Sequence, residues 1–589
     1  MKPLLLPALA VVCSILPMNA EVPLIQTPVV PVTFERRDQT LFIDFGRAAF
    51  GNLEIDVPSG VAAGKWTVRV GEKLASDGRI DRKPPGSVNF RELTQDVPAG
   101  GGRQRLQIPS KPFHLTREPV KMPAEIGEIT PFRYVEIEGA PESLSAAEVR
   151  QIFVHAPFDD NAGHFECSDP TLNAVWELCH YTMKATTPFG VYIDGERERI
   201  PYEGDAYINM LSHYACDLDP RVARATFDHL MRHPTWPTEW QLHIPMIAAA
   251  DYEATGDPAM AAADFEALKK KLLQNKARED GLLVASAIVD WPSAERDGYN
   301  EGVVDPAENR QIGPMVNTVA NAFYYHALRQ MVALARATGR EEDAKRFEAE
   351  AGRVYTAFNN VFFDSARGIY IDGEGSSHAS LHANMFPLAF GLVPASRVKS
   401  VTDFVESRGM HCSVYGAQYL LEALYLGGRA EAALRLMTSR DDRSWWHMIE
   451  QGSTMTLEAW NPRAKGNLTW NHAWGAAPAN ITSRYILGVR PLTPGYGEIL
   501  IAPQPASLEW AKGRVPTPHG PVFVDLLGGS SPRLEVVVPE KSTARIVWPY
   551  GLGEGQMLAL NGKPAGPGAL EKLSPGRYVL ELLPGQPRR

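Results

Sequence analysis

Residues 194–205 concentrate carboxyl and guanidinium groups: Asp194, Glu196, Arg197, Glu198, Arg199, Glu203 and Asp205 fall within one twelve-residue segment. A charge run is ordinarily a solvated loop. Here Phe189, Tyr192 and Tyr202 flank or interrupt it, and Gly195, Pro201 and Gly204 suit a shaped turn. Carboxyl groups crowded together raise one another's pKa, which keeps a donor carboxyl protonated near neutral pH. Asp205 stands where a helical pattern begins.

Four further segments set polar groups beside aromatic ones. Glu458 lies in Thr454-Met455-Thr456-Leu457-Glu458-Ala459-Trp460, and His472 in Trp470-Asn471-His472-Ala473-Trp474. Asp290-Trp291 and Glu239-Trp240 are acid–aromatic pairs, the second followed by His243. An indole face can stack on the C–H face of a sugar ring while a carboxylate accepts its hydroxyl protons. We therefore name Asp194, Arg197, Tyr202, Asp205, Trp240, Asp290, Trp291, Trp460 and His472 as candidate substrate-binding residues. Two separated acids suffice for glycoside hydrolysis. One protonates the glycosidic oxygen and the other activates water on the opposite ring face, at a spacing of roughly 6.5–9.5 Å.

The surrounding pattern predicts three domains and a leader. Residues 1–20 read as a signal peptide, with Lys2, an apolar run and a small-residue site at Met18-Asn19-Ala20, so the protein is expected to be periplasmic or secreted. Residues 21–155 alternate apolar and polar positions between Gly- and Pro-rich turns, as in a β-sandwich. A linker at 156–166 leads to 167–487, where the period becomes 3.6 over about twelve helical stretches, the number that closes six hairpins into an (α/α)6 toroid. That count includes a helix over 470–486. Residues 488–589 return to β texture and form a second predicted sandwich. No repeat of the solenoid kind and no transmembrane stretch is evident.

Composition bounds the partners. At 589 residues and a net charge of −10, the chain is too long for one core and too acidic for nucleic acid. Twelve Trp, 19 Tyr and 22 Phe supply flat faces for cores and for sugars. Cys167, Cys179, Cys216 and Cys412 are scattered, with no zinc-ligand spacing, and read as buried thiols. No metal site or cofactor is called for.

Taken together, these segments resemble the bacterial α-L-rhamnosidases of glycoside hydrolase family 78. The 194–205 segment is similar to that family's acidic signature, an Asp, then an Arg–acid–Arg core, an aromatic and a closing Gly-Asp. The resemblance implies Glu198 as general acid, with Asp194 and Asp205 holding substrate hydroxyls. Gly452, Thr454, Glu458 and Trp460 resemble the segment carrying the general base, which implies Glu458. Asn471-His472 matches the family's Asn-His and implies substrate contact by His472. Gly488-Val489-Arg490-Pro491 looks like the start of its C-terminal β-domain. Departures are a shorter Asp194-to-Glu198 spacing, Tyr202 where Trp is common, and Met455 and Leu457 before the implied base. The family implies inversion, an (α/α)6 barrel and no cofactor, hence an exo-acting enzyme on rhamnosylated glycosides or polysaccharides. Two other readings use the same residues: a polysaccharide lyase or other glycosidase drawing on Tyr202, His243 or His472 as base, and a sugar-binding protein without turnover.

Overall fold

The computed structural model describes residues 22–110, 117–299, 304–305, 310–311, 315–552 and 556–583. The predicted signal peptide lies outside the described residues.

Eight hydrogen-bonded strands build the N-terminal sandwich. Its spine is the single long strand Thr40–Val57. A register shift between Asp44 and Ala49 interrupts its pairing with Thr130–Glu138. Leu41 and Ile43 before the shift, Phe45 within it, and Leu53, Ile55 and Val57 after it enter one core with Trp66, Val68, Phe132 and Ile137.

Among the described residues, twelve of the thirteen α-helices alternate between two rings. They are α1 (Pro170–Ala185), α2 (Glu203–Cys216), α3 (Arg221–Arg232), α4 (His243–Thr255), α5 (Ala259–Lys270), α6 (Thr318–Ala337), α7 (Glu341–Val361), α8 (Leu381–Ala389), α9 (Ala395–Arg408), α10 (Gly416–Leu426), α11 (Ala430–Met437) and α12 (Ala477–Ile481). The even-numbered helices bury most of their residues and touch in the order α2, α4, α6, α8, α10, α12 and back to α2. That closed order is the six-hairpin toroid. The odd-numbered helices form the outer layer. In α7, for example, Ala344, Phe347, Ala351, Val354 and Phe358 are buried at helical spacing, with Glu350 and Asn359 buried beside them. Asp169 caps α1 by accepting from the backbone N–H groups of Thr171 and Leu172.

Two local expectations are corrected. The helix predicted over 470–486 starts at Ala473, first as a 3-10 turn, then α12, then a π-turn at Thr482–Ile486. His472 precedes it in extended backbone. A helical turn at Trp445–Glu450, unread in the sequence because only six residues long, supports the 454–472 segment.

The C-terminal sandwich pairs a seven-stranded with a three-stranded sheet. The edge of the larger sheet is His164–Cys167, which runs antiparallel to Trp510–Val515. Thus the chain just before α1, read from sequence as linker up to residue 166, is a strand that ties the toroid to the C-terminal domain. The four described cysteines are free and buried, with thiols pushed up by burial. Among the described residues, no helix is long and apolar enough to cross a membrane.

Candidate active site

The acid loop is a closed turn. The Asp194 N–H donates to Ile200 O at 3.0 Å, and the Ile200 N–H donates back to Asp194 Oδ1 at 3.1 Å. Gly195 has φ +93°, and a Cβ there would stand 2.9 Å from Asn471 Oδ1, so only glycine fits. Neighbouring side chains then face two ways. Glu196 pairs with Arg199 at 2.9 Å and with Arg91 of the N-terminal sandwich at 3.3 Å. Arg199 also reaches Glu128 at 2.7 Å. Arg197 and Glu198 face a cavity instead.

The second acid is positioned by a narrow pairing of 456–458 with 469–472. The Glu458 N–H donates to Thr469 O at 3.1 Å, the Thr469 N–H to Glu458 Oε2 at 3.0 Å, and the His472 N–H to Thr456 O at 3.0 Å. Asn471 fastens this pairing to the acid loop and to the N-terminal domain together. Its Oδ1 accepts the Glu196 N–H at 2.8 Å, and its Nδ2 donates to Glu72 Oε1 at 3.0 Å. Both Asn471 and Glu72 are buried.

A cavity of about 510 Å³ lies between these segments. Asp194, Arg197, Glu198, Tyr202, Asp205, Trp240, Trp291, Glu458 and His472, all named from sequence, line it together. Arg197 is its hub. One terminal nitrogen binds Glu198 Oε1, and the other lies 2.9 Å from Glu458 Oε1 and 3.7 Å from Asp194 Oδ2. Tyr202 donates its hydroxyl to Glu198 Oε2 at 2.7 Å, and Lys465 Nζ is 3.2 Å from Glu458 Oε1. His472 Nε2 is 2.9 Å from Asp205 Oδ1. Trp240 stacks on Tyr415 at 5.5 Å between ring centres, and its indole N–H has no partner among the described residues. That donor is buried.

The carboxyl groups are pushed apart electrostatically. Burial raises the Glu458 carboxyl, but His472, Arg197 and Lys465 outweigh burial and hold it below the ordinary glutamate range. Burial, reinforced by Glu458 and Asp205 against Arg197, drives Asp194 well above the ordinary range. Asp205 is also raised by burial, against its bond from His472. Lys465 is held down by burial, with Glu458 acting the other way. The site therefore sets a carboxyl held below its ordinary range beside two held above theirs, a setting for acid–base chemistry.

Two candidates lie elsewhere. Asp290 is fully buried and does not line the cavity. It accepts from the backbone N–H groups of Trp291 at 2.8 Å and Ser413 at 2.9 Å, and meets His382 Nε2 at 2.7 Å. Named from sequence as a substrate-binding candidate beside Trp291, it instead holds the loop from behind. Trp460 is also fully buried, donates to Cys412 O at 2.8 Å and packs edge-on against Trp445. Its proximity in sequence to Glu458 does not translate into exposure, because Trp445 and the Cys412 carbonyl enclose it. Glu239 and His243 are structural in the same sense. Glu239 accepts the N–H groups of Ile288 and Val289, and His243, with its pKa pushed down to about 3 by burial, bonds Trp240 O and Tyr419.

Sequence reasoning missed Trp236, Thr238, the 286–288 stretch and Arg296 in the lining, and Lys465 against Glu458. Only Trp236 carried a legible signal, since it stands between prolines in Pro234-Thr235-Trp236-Pro237. The others arrive from loops whose path is set by the toroid.

The model of the bacterial α-L-rhamnosidase six-hairpin glycosidase domain matches residues 160–486, and that of the bacterial α-L-rhamnosidase C-terminal domain matches 488–559. An α-L-rhamnosidase from Alteromonas sp. (strain LOR) is 26% identical over 512 residues, 78% of this chain and 53% of that protein. One from Formosa agariphila is 24% identical over 458 residues, 71% of this chain and 47% of that protein. The chain thus spans about half the length of these two relatives. Among solved structures, an α-L-rhamnosidase from Dictyoglumus thermophilum superimposes with a TM-score of 0.77 at 21% identity, over 95% of this chain and 64% of that one. The Streptomyces avermitilis α-L-rhamnosidase complexed with L-rhamnose gives 0.74 at 20% identity, over 95% and 54%. With more than half its residues matched by the six-hairpin model and the toroid closed, the chain belongs to the bacterial α-L-rhamnosidase family, glycoside hydrolase family 78.

Proposed function

We propose that this protein is an exported, inverting exo-glycosidase that removes terminal α-L-rhamnosyl residues from glycosides or polysaccharides. The observation that carries the reading is Arg197, one guanidinium binding Glu198 through one terminal nitrogen and Glu458 through the other, in a single cavity. The planar cation between the two carboxyl groups keeps them from closing on one another, as two separate acid and base roles require. Of the four cavity carboxyls, Glu198 is the most open, its side chain 12% exposed against 4% for Asp194 and Asp205 and 2% for Glu458. It is thus placed to meet the glycosidic oxygen and donate the proton. Glu458, held ionised by its neighbours, is suited to take a proton from water at the anomeric carbon. Asp194, and Asp205 with His472, supply acceptors and donors for sugar hydroxyls. Export rests on the sequence of residues 1–20.

Glu198→Gln and Glu458→Gln test the assignment. Each is expected to lower kcat on an aryl α-L-rhamnoside by about 10²–10⁴-fold with the far-ultraviolet circular dichroism unchanged. Proton NMR of the wild-type reaction should show the β anomer of rhamnose first. Near-normal turnover in either variant, or the α anomer appearing first, would contradict the reading.

A further inference from the structure

The cavity's four tryptophans divide by exposure. Trp240 and Trp474 are 4% and 3% exposed, whereas Trp236 and Trp291 are 47% and 45% exposed. The carboxyls follow the same gradient, with Glu458 closed off and Glu198 more open. A glycoside whose anomeric carbon lies between the two acids therefore extends its leaving group past Glu198 toward Trp236 and Trp291. This continues the catalytic reading above and rests on it.

An indole half in water on a loop is ordinarily free to swing. Trp236 is held through both of its chain neighbours and by a cation on its ring. Pro237 restricts its backbone to extended conformations. Before it, the N–H and hydroxyl of Thr235 both donate to the buried carboxylate of Glu203, the N–H at 2.7 Å. Arg117, from the N-terminal part of the chain, donates to Thr235 O and sets its guanidinium 5.3 Å from the centre of the Trp236 ring. After it, Lys276 Nζ donates to Pro237 O at 3.1 Å. Packing needs no such arrangement for a ring that is 47% exposed. A rigid aromatic face costs little ordering entropy when a second ring stacks on it.

We propose that Trp236, backed by Arg117, is the platform of a leaving-group subsite that selects rhamnosides whose departing oxygen carries a flat ring. Aromatic rings and the C–H face of a pyranose share this stacking chemistry, and the assay separates them. Wild type, Trp236→Ala and Trp236→Phe are compared by kcat/KM on α-L-rhamnosyl fluoride, which has no ring to stack, on an aryl α-L-rhamnoside and on a rhamnosyl-glucose disaccharide. The alanine variant is expected to lose about tenfold or more on a ring-bearing substrate beyond any loss on the fluoride. Phenylalanine should restore most of it. Loss on the aryl substrate alone assigns an aromatic leaving group, on the disaccharide alone a sugar, and on both a general ring platform. Equal losses on all three substrates, or none, overturn the subsite. A wild type inactive on all three overturns the catalytic reading, and the subsite with it.

Discussion

Replacing Lys465 by Met removes one of the groups that hold Glu458 ionised and keeps the aliphatic stem in place. Lys465 Nζ stands 3.2 Å from Glu458 Oε1, and its side chain is buried. Its other partner, the amide oxygen of Asn467, is exposed and can turn to water. Unit charges 3.2 Å apart interact by about 1 kcal/mol at the dielectric of water and about 5 kcal/mol at an effective value of about 20. At about 1.4 kcal/mol per pKa unit, that range is about one to four units. Arg197 stays in place and water enters beside it, so the rise in the Glu458 pKa falls at the lower end, about one unit. The sign follows from the role. A general base works as the carboxylate, so kcat/KM falls on the acidic side as pH drops through its pKa in the free enzyme. Raising that pKa moves the acidic limb toward neutral pH by the same amount and leaves the plateau above it in place. The measurement is a pH profile of kcat/KM on an aryl α-L-rhamnoside, for wild type and Lys465→Met, with the thermal midpoint recorded to show both fold. An acidic limb that stays put, or moves to lower pH, would refute the claim that Lys465 tunes Glu458.

Two further substitutions probe the scaffold. A Cβ on Gly204 would lie 3.0–3.1 Å from the Trp240 ring, which is backed by Tyr415 and cannot retreat. Although alanine is favoured over glycine in a helix by about 1 kcal/mol, overpacking of about 1–3 kcal/mol opposes it, so Gly204→Ala should raise KM and shift the tryptophan fluorescence. An unchanged KM would show that this wall does not meet the sugar. Glu72→Ala leaves Asn471 Nδ2 and the Asn89 N–H, which donates to Glu72 Oε2 at 2.7 Å, without a buried acceptor. It should cost about 1–3 kcal/mol of stability and lower kcat more than it raises KM, since Asn471 aligns both acid-bearing segments. Glu72→Gln, retaining one acceptor, should recover part of the loss, and an unaltered kcat in Glu72→Ala would sink this positioning role.

The chain's periodicity alone determined a good deal. Alternation of two at both ends and a 3.6 period between them are consequences of which faces must be buried, and burial is written residue by residue. The acid loop was legible for the same reason, because its charges, glycines and aromatics are local. What stayed hidden depended on contacts between separate segments of the chain. Asp290 and Trp460 carry the same residue types as Asp205 and Trp240, and only the packing of Ser413, His382 and Trp445 around them turns them into internal supports. Lys465 and Trp236 join the site because loops from separate hairpins converge at one end of the closed ring. Asn471 draws the N-terminal sandwich into the same site through Glu72. The sequence determined which groups could do the chemistry. Ring closure and domain contact decided which of them share a cavity, because distance and burial are set by tertiary packing and not by spacing along the chain.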